Sequence, residues 1–210
     1  DVHTPNALTV TAVSSNGLLL PSNRIIITGT GGRLGAAVAR HLRDRHRVIA
    51  WDRKALDLRS PEQIDDHFGG LEFDAVIHCA ALTGVDYCEQ HPEEAHAVNT
   101  AAPAQIARIC HQRGARLIHI STDYVYDGRA PGLREESDAC APLGVYAKTK
   151  HAAEQAVLAA DPAFLVARAS WIFGPDRAGF VDAIVGGGGL ILVPAMFAAG
   201  MAWITTANSL

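Results

Sequence analysis

The stretch Arg24-Ile-Ile-Ile-Thr-Gly-Thr-Gly-Gly-Arg-Leu-Gly35 decides the fold, because a β-branched run leads into spaced glycines and then an alanine-rich amphipathic segment. This order is typical of a strand, a tight turn and a helix. Gly29 permits the turn, Gly32 lets the backbone approach a pyrophosphate, and Gly35 lets the helix pack against the strand. The positive end of that helix would face the phosphates. The stretch therefore predicts a dinucleotide site, with a structural surface loop as the alternative.

An acid ends the next apolar run, Arg47-Val-Ile-Ala-Trp-Asp52. In a dinucleotide-binding unit, an acid at this place accepts hydrogen bonds from the adenosine ribose hydroxyls. Asp52 disfavours a 2′-phosphate by charge repulsion, whereas Arg53 could pair with one, unless it is simply a solvated surface arginine. The predicted cofactor is NADPH or NADH, and the sequence leaves that choice open.

Two further segments carry acid–base chemistry. Tyr146 and Lys150 are four residues apart, so they lie on one face of a helix, and we expect the cation to lower the pKa of the phenol. The segment 116–128 is a buried-strand pattern that ends in hydroxyls and an acid, which would place Ser121 and Thr122 at the ligand-binding edge of the sheet. We expect a hydroxyl there to hold the carbonyl oxygen that Tyr146 protonates. The alternative is that these hydroxyls only cap a turn.

Six ordered blocks resemble the extended short-chain dehydrogenase/reductase family, and within it the dTDP-4-dehydrorhamnose reductase branch. They are Gly29-Thr-Gly-Gly-Arg-Leu-Gly35, His78-Cys-Ala-Ala-Leu-Thr-Gly-Val-Asp86, Ala97-Val-Asn99, Ser121-Thr-Asp-Tyr-Val-Tyr-Asp-Gly128, Pro142-Leu-Gly-Val-Tyr-Ala-Lys-Thr-Lys150 and Arg168-Ala-Ser-Trp-Ile-Phe-Gly174. The resemblance runs from about Arg24 to about Val181. It implies an NAD(P)H-dependent oxidoreductase of dTDP-rhamnose biosynthesis, which converts the 4-keto group of a dTDP-4-dehydro-6-deoxy sugar into a hydroxyl.

The resemblance, together with the glycine and acid patterns, also assigns residue roles. Catalysis would fall to Thr122, Tyr146 and Lys150, with Lys150 also binding the nicotinamide ribose. The substrate would contact Asp123, Tyr124 and Trp171. Besides Tyr146 and Lys150, the cofactor would be bound by Gly29, Gly32, Arg33, Leu34, Gly35, Asp52, Arg53, Asp57, Leu58, Cys79, Ala80, Ala81, Thr83 and Asn99.

Other functions within this resemblance stay open. A dehydratase of the family would carry Asp then Glu after the catalytic threonine, whereas here Tyr124 follows Asp123, which favours simple ketone reduction. Another sugar-nucleotide epimerase or reductase remains an alternative. A different class is represented by the regulatory subunit of methionine adenosyltransferase, which resembles these reductases but serves as a binding partner. Because Thr122, Tyr146 and Lys150 are all present, we favour the enzyme.

Length and composition predict a soluble α/β domain. With 210 residues and 49% hydrophobic side chains, the chain can bury a substantial core. Its 18 basic and 22 acidic residues give a formal net charge of -4 without a basic stripe, which argues against nucleic acid as a partner. The four cysteines, Cys79, Cys88, Cys110 and Cys140, form no CxxC pair, and an enzyme that uses a soluble cofactor belongs in a reducing compartment, so a cytoplasmic location with free thiols is expected.

The ten histidines do not predict a metal site. His41 and His46, like His91 and His96, are five residues apart and lack the i, i+4 facing of a helical zinc pair. Two others, His78 and His119, lie in strand-like runs near the predicted site. We expect both to pack in the core rather than to touch a ligand.

An alternation of strands and helices predicts a Rossmann-type doubly wound parallel sheet with right-handed crossovers. We expect strands at 24–28, 47–51, 74–79, 115–120 and 164–168. A helix should begin at about Pro61 behind the capping-box pattern of residues 60–63, and another region, 92–113, should stop at Gly114 with a kink or restart at Pro103. Residues 127–142 should form a surface loop near the substrate mouth.

Three regions are expected along the chain. Residues 1–23 form an N-terminal extension without the features of a secretory signal, and residues 24–182 form the NAD(P)-binding Rossmann domain. Residues 183–210 form an atypical apolar tail without a charged side chain, so the C-terminal substrate region is truncated or abnormal. Its apolar run at 190–204 is shorter than the ~20 residues of a membrane-spanning helix and contains Pro194, so no membrane anchor is expected. The resemblance allows a homodimer.

Overall fold

The computed structural model describes residues 23–129, 134–170, 172 and 204–206. The predicted N-terminal extension lies outside the described residues except for Asn23, and so does Trp171. Of the predicted apolar tail, only 204–206 are described.

The described residues contain a six-stranded sheet in the order β2-β1-β3-β4-β5-β6. Five strands are parallel, and β6 pairs antiparallel with β5. The parallel strands begin and end within two residues of the predicted bounds, whereas β6, inside the predicted tail, was not anticipated. The strands are β1 (Arg24–Thr28), β2 (Arg47–Trp51), β3 (Ala75–His78), β4 (Arg116–Thr122), β5 (Leu165–Ala169) and β6 (Ile204–Thr206).

The strand order creates a crevice at the carboxyl ends of β1 and β3. From β1 the chain crosses to β2 on one side, while β3 pairs with β1 on the other side. Thr28 and His78 are partners in the β1–β3 register, so both strands end at the same level. Open α/β sheets bind ligands at such a switch point, outside the carboxyl ends of the strands.

Six α-helices are present in the described part of the chain. The helix predicted at Pro61 begins there, and the Ser60 hydroxyl accepts a hydrogen bond from the Gln63 N–H (3.2 Å). Gln63 does not complete the capping box, because its side-chain oxygen accepts instead from the backbone N–H of Asp57. The helices are α1 (Arg33–Leu42), α2 (Pro61–Gly69), α3 (Val85–Gln90), α4 (Pro92–His96), α5 (Ala102–Arg113) and α6 (Val145–Ala160).

The interruption predicted between residues 92 and 113 is present. A π-helical turn, Ala97–Ala101, separates α4 from α5, and Pro103 sits in the first turn of α5, where its missing N–H costs no helical hydrogen bond. The helix stops before Gly114 (φ 63°), whose left-handed conformation favours glycine. The predicted interruption is therefore the wide π-helical turn that precedes Pro103.

Side chains are buried on both faces of the sheet. One face packs against α2, α5 and α6 through a large cluster that includes Ile26, Val76, Leu117 and Val166. The other face packs Ile25, Ile27, Ala75 and Ile77 against Ala39 of α1. Helices on both faces confirm the doubly wound α/β prediction. Among the residues described, no helix combines the length and the apolar composition that crossing a membrane requires.

Candidate active site

A crevice of about 970 Å³ opens at the carboxyl ends of β1, β3 and β4. It brings together the glycine turn, the acid after β2 and the Tyr146–Lys150 pair, which are far apart in the sequence. Eighteen of the predicted site residues line it: Gly29, Gly32, Arg33, Leu34, Gly35, Asp52, Arg53, Asp57, Leu58, Cys79, Ala80, Ala81, Thr83, Thr122, Asp123, Tyr124, Tyr146 and Lys150.

The glycine turn is packed too closely for side chains at two positions. Gly29 has a positive φ of 74°, and a Cβ there would lie 2.7 Å from the backbone of Ala80. A Cβ on Gly35 would lie 2.7 Å from the carbonyl carbon of Gly29 and closer still to its oxygen. At Gly31 the nearest heavy atom would be the Asp52 Cβ at 3.5 Å, so a methyl group would fit there in ordinary van der Waals contact. The predicted close packing of Gly35 is confirmed, and Gly29 also lets the loop after β3 approach β1.

The end of the crevice at which adenosine is predicted to bind is shaped by the residues after β2. Asp52 Oδ1 accepts hydrogen bonds from the N–H groups of Lys54 and Ala55, both at 2.9 Å, which fixes the carboxylate at the crevice wall. Asp57 is held by Arg59, whose Nε and Nη2 donate to both carboxylate oxygens, and this bonding lowers the pKa of Asp57 to about 2. Lys54 and Arg59 also line the crevice but were missed, although their closeness to Asp52 in the sequence could have signalled them.

Asn99 is the predicted cofactor residue that the crevice does not include. Its side chain is buried and clamps the loop after β3: Oδ1 accepts from the Leu82 N–H (2.8 Å), and Nδ2 donates to the Leu82 carbonyl (2.9 Å). Nδ2 also approaches the Thr149 hydroxyl of α6 at 3.4 Å. Its polar atoms are used within the protein, where they support the loop that lines the crevice; its contact with the cofactor stays a prediction.

At the end of β4, the Thr122 hydroxyl has several partners. It accepts from the Tyr124 N–H (3.2 Å) and donates to Asp123 Oδ1 (3.2 Å). The Thr122 hydroxyl also lowers the pKa of Tyr146, against the larger and opposite effect of burial. The two interpretations of this hydroxyl are therefore compatible, since it caps a turn and acts on the phenol. Burial raises the pKa of Asp123, and the ring of Tyr124 packs edge-on against Tyr146 at 5.9 Å.

The N-terminus of α6, the helix that carries Tyr146 and Lys150, is capped by a side chain from α3. Gly144, its N-cap, has no side chain to cap the helix, and the Val145 N–H donates instead to Glu89 Oε1 of α3 at 2.6 Å. A Cβ on Gly144 would lie 2.8 Å from the same oxygen. Glu89 thus docks α3 on the catalytic helix, a role that sequence spacing could not reveal because 56 residues separate the partners.

Lys150 is buried at the base of the crevice, 2% exposed. Its Nζ donates to the Ile120 carbonyl (2.7 Å) and to His119 Nε2 (3.1 Å), and burial lowers its pKa to about 8. The pKa of Tyr146 is raised, chiefly by burial, which disfavours the phenolate. The expectation that Lys150 lowers the pKa of Tyr146 is therefore wrong for the free chain.

One group of side chains could in principle bind a metal ion: ligand atoms of Cys140, and of His151 and Glu154 on α6, are within 4.8 Å of one another. Sequence spacing did not predict it. Both Glu154 oxygens already accept hydrogen bonds from the Arg168 guanidinium, at 2.7–3.2 Å. That buried positive charge opposes a metal cation at the same carboxylate, so we interpret the cluster as an ion pair with two polar neighbours.

Comparisons with known proteins agree with this geometry. Residues 23–186 match the family described as the RmlD substrate binding domain. The chain belongs to this family. A dTDP-4-dehydrorhamnose reductase of Mycobacterium tuberculosis is 44% identical over 160 residues, which cover 72% of this chain and 51% of that protein. A probable low-salt glycan biosynthesis reductase of Haloferax volcanii is 36% identical over 159 residues, covering 70% of this chain and 53% of that protein.

Solved structures of RmlD-type proteins share the fold. The dTDP-4-dehydrorhamnose reductase of Bacillus anthracis in complex with NADP superimposes with a TM-score of 0.74 at 32% identity, over 78% of this chain and 59% of that one. An enzyme of Bordetella bronchiseptica, in complex with NAD and UDP, is 22% identical with a TM-score of 0.61 over 69% of this chain and 52% of that one, and supports the fold alone. The chain spans about half the length of the curated relatives it matches.

Proposed function

We propose that the chain carries the cofactor-binding and catalytic part of an NAD(P)H-dependent reductase. Its reaction would reduce the 4-keto group of a dTDP-4-dehydro-6-deoxy sugar, as in dTDP-L-rhamnose biosynthesis. The observation that carries the proposal is that Thr122, Tyr146 and Lys150 line the same crevice as the glycine turn. The names of the relatives supply the substrate class.

The residues of the crevice fit a dinucleotide. Gly32, the N-cap of α1, carries no side chain, so the first N–H groups of the helix are open to a phosphate from the crevice side. Asp52 stands at the end of β2, where a ribose would lie. NADPH or NADH bound there would supply the hydride. The basic side chains of Arg53, Lys54 and Arg59 suit a 2′-phosphate, so we propose that both cofactors bind.

In the proposed reaction, the carbonyl carbon gains the hydride and the carbonyl oxygen gains a proton from Tyr146. Thr122 lines the same part of the crevice, and its hydroxyl would turn from Asp123 to donate a hydrogen bond to the same oxygen as negative charge develops on it. Lys150 follows Tyr146 by one helical turn and holds a buried positive charge at the base of the crevice. The phenolate then regains a proton from solvent. Asp123 and Tyr124 border this end of the crevice and are proposed to contact the sugar.

A cytoplasmic location and a homodimer complete the proposal. The four cysteines are free, as a reducing compartment would keep them. A homodimer would appear in size-exclusion chromatography with light scattering as twice the chain mass of 22.3 kDa.

The test is a spectrophotometric assay of NADPH and NADH oxidation with several 4-keto sugar nucleotides. We expect Tyr146→Phe to lower kcat at least ~10²-fold while the cofactor Kd stays within a small factor, because it removes only the proton donor. Tyr87→Phe is the matched control and should keep wild-type turnover, since Tyr87 is exposed and does not line the crevice. Full turnover by Tyr146→Phe would remove the phenol from the mechanism. Tight NADPH binding by the wild-type chain without oxidation of any keto sugar would favour the regulatory binding subunit instead.

A further inference from the structure

A row of buried polar side chains crosses the sheet beneath the crevice. Thr28, His78 and His119 are register partners on β1, β3 and β4, and each is at most 1% exposed. Thr28 Oγ1 lies 2.8 Å from His78 Nδ1. The two imidazoles are stacked, with centroids 5.4 Å apart and planes inclined by 17°. The predicted packing role of both histidines is correct, but packing does not explain all of their contacts.

The row ends at Lys150. Its ammonium has only donors, so His119 Nε2 at 3.1 Å must accept, and the proton of the neutral ring must sit on Nδ1. That Nδ1 is buried and has no hydrogen-bond partner among the described residues. A leucine or phenylalanine would fill the same space without burying an unpaired N–H group, whose desolvation is unfavourable. The imidazole is therefore better explained by its contact with Lys150 than by packing.

The ammonium is held by neutral acceptors. Within the described part of the chain, no ion pair involves Lys150, and its two hydrogen bonds go to the Ile120 carbonyl and His119. The ionisable groups that face it from the sheet are uncharged: burial lowers the pKa of His78 to about 3 and that of His119 well below its usual value, and raises the pKa of Cys79 to about 12. The remaining ionisable group near the ammonium is Glu154, which lies on α6 together with Lys150 and is bonded to Arg168.

We propose that His119 is a positioning residue for Lys150: together with the Ile120 carbonyl, its Nε2 fixes the ammonium beneath the crevice that the proposed proton donor also lines. A neutral imidazole suits this task, because a carboxylate would neutralise the positive charge that the site presents. The catalytic purpose of this contact rests on the proposed function, whereas the contact itself can be measured in the free chain.

The first experiment follows the titration of Lys150 by NMR of the free chain with ¹³Cε-labelled lysine. The lysines of the chain are Lys54, Lys148 and Lys150, so Lys54→Arg and Lys148→Arg assign the signals. We expect the pKa of Lys150 to fall by about one unit in His119→Leu, because removing an acceptor destabilises the charged form. His119→Gln, whose Oε1 can reach the place of Nε2, should restore most of the shift.

His78→Phe is the matched control, since it keeps a ring stacked on His119 and removes only the bond to Thr28. It should leave the Lys150 titration unchanged. A Lys150 pKa that is the same in His119→Leu and in the wild-type chain overturns the proposal.

A second measurement needs no substitution at His119 and decides the matter if His119→Leu fails to fold. The ¹⁵N chemical shifts of the imidazole report its tautomer, with His78→Phe used to assign the signals. We expect a neutral His119 ring protonated on Nδ1; a ring protonated on Nε2 cannot accept from Lys150 and overturns the proposal. Neither measurement uses cofactor or substrate, so an inactive chain would refute the proposed function without affecting this test.

Discussion

The buried ion pair behind the catalytic helix leads to the sharpest prediction about stability. The side chains of Glu154 on α6 and Arg168 on β5 are 2% and 8% exposed, and three contacts of 2.7–3.2 Å join them. Glu154→Leu leaves the guanidinium buried, with the Tyr126 hydroxyl (2.8 Å) and ring face (5.2 Å) as its remaining described partners. We expect this substitution to lower the free energy of unfolding by about 3–5 kcal/mol, the usual cost of an uncompensated buried charge.

The double variant Glu154→Leu/Arg168→Met separates this cost from the value of the pair. It buries apolar side chains of similar length and leaves neither charge unpaired, so it should be more stable than Glu154→Leu by about 2 kcal/mol or more. A matched surface control is Glu72→Ala, which removes the Arg24–Glu72 pair, 37% and 82% exposed. That change should cost less than about 1 kcal/mol.

Urea unfolding followed by circular dichroism gives each free energy, provided that the slope with denaturant is the same for all variants. The two charges are not coupled in solution if the loss of unfolding free energy in the double variant equals the sum of the losses caused by Glu154→Leu and Arg168→Met alone. A loss below about 1 kcal/mol in Glu154→Leu would lead to the same conclusion. Since Glu154 lies on the helix that carries Tyr146, the single variant should also lower turnover, and the double variant should recover part of it.

Two further predictions concern the cofactor crevice and pH. Gly35→Ala should weaken NADPH binding at least ~10-fold in a fluorescence titration, because a Cβ there forces α1 away from the Gly29 carbonyl. In the control Gly31→Ala, the new Cβ meets its nearest neighbour only at 3.5 Å, so NADPH affinity should stay within a few-fold of wild type. Equal NADPH affinities of the two variants would contradict the close packing of the turn. Lys150 releases its proton at a pKa of about 8 when folded and at about 10.4 when unfolded, so its contribution to stability rises with pH across that window. Buried thiols with raised pKa act in the opposite direction, so the quantity to measure is the unfolding free energy of wild type minus that of Lys150→Met, which should rise by about 2.5 kcal/mol from pH 8 to 10.4; a constant difference would refute the buried ammonium.

The parts of the fold that sequence reasoning predicted depend on local signals. Gly29, Gly32 and Gly35 are spaced for a strand, a turn and a helix, and those three elements follow from short-range sterics. Ser60 and Gly114 likewise mark helix ends through contacts within a few residues. The antiparallel pairing of β6 with β5 joins residues far apart in the chain, and no local pattern in the apolar tail indicates it.

The parts that were missed depend on contacts across the fold. Asn99 follows the family pattern, yet its amide meets Leu82 in a loop 17 residues earlier, which removes it from the crevice. Glu89 caps the catalytic helix across 56 residues, and nothing in the local sequence around it distinguishes it from a surface acid. Sequence spacing thus predicts which residues enter the site better than it predicts which residues hold them there.

The pKa of Tyr146 shows why residue spacing and residue chemistry must be argued separately. Helical spacing places Lys150 and Tyr146 on one face, but the long lysine side chain extends to Ile120 and His119, while burial sets the pKa of the phenol. A raised pKa suits the reductive direction, because the donor must hold its proton until the carbonyl oxygen takes it. It opposes the reverse reaction, in which the same group must begin as phenolate. If Tyr146 is the donor, oxidation of the hydroxyl product should therefore require a more alkaline pH than reduction, and equal pH optima in the two directions would contradict the raised pKa.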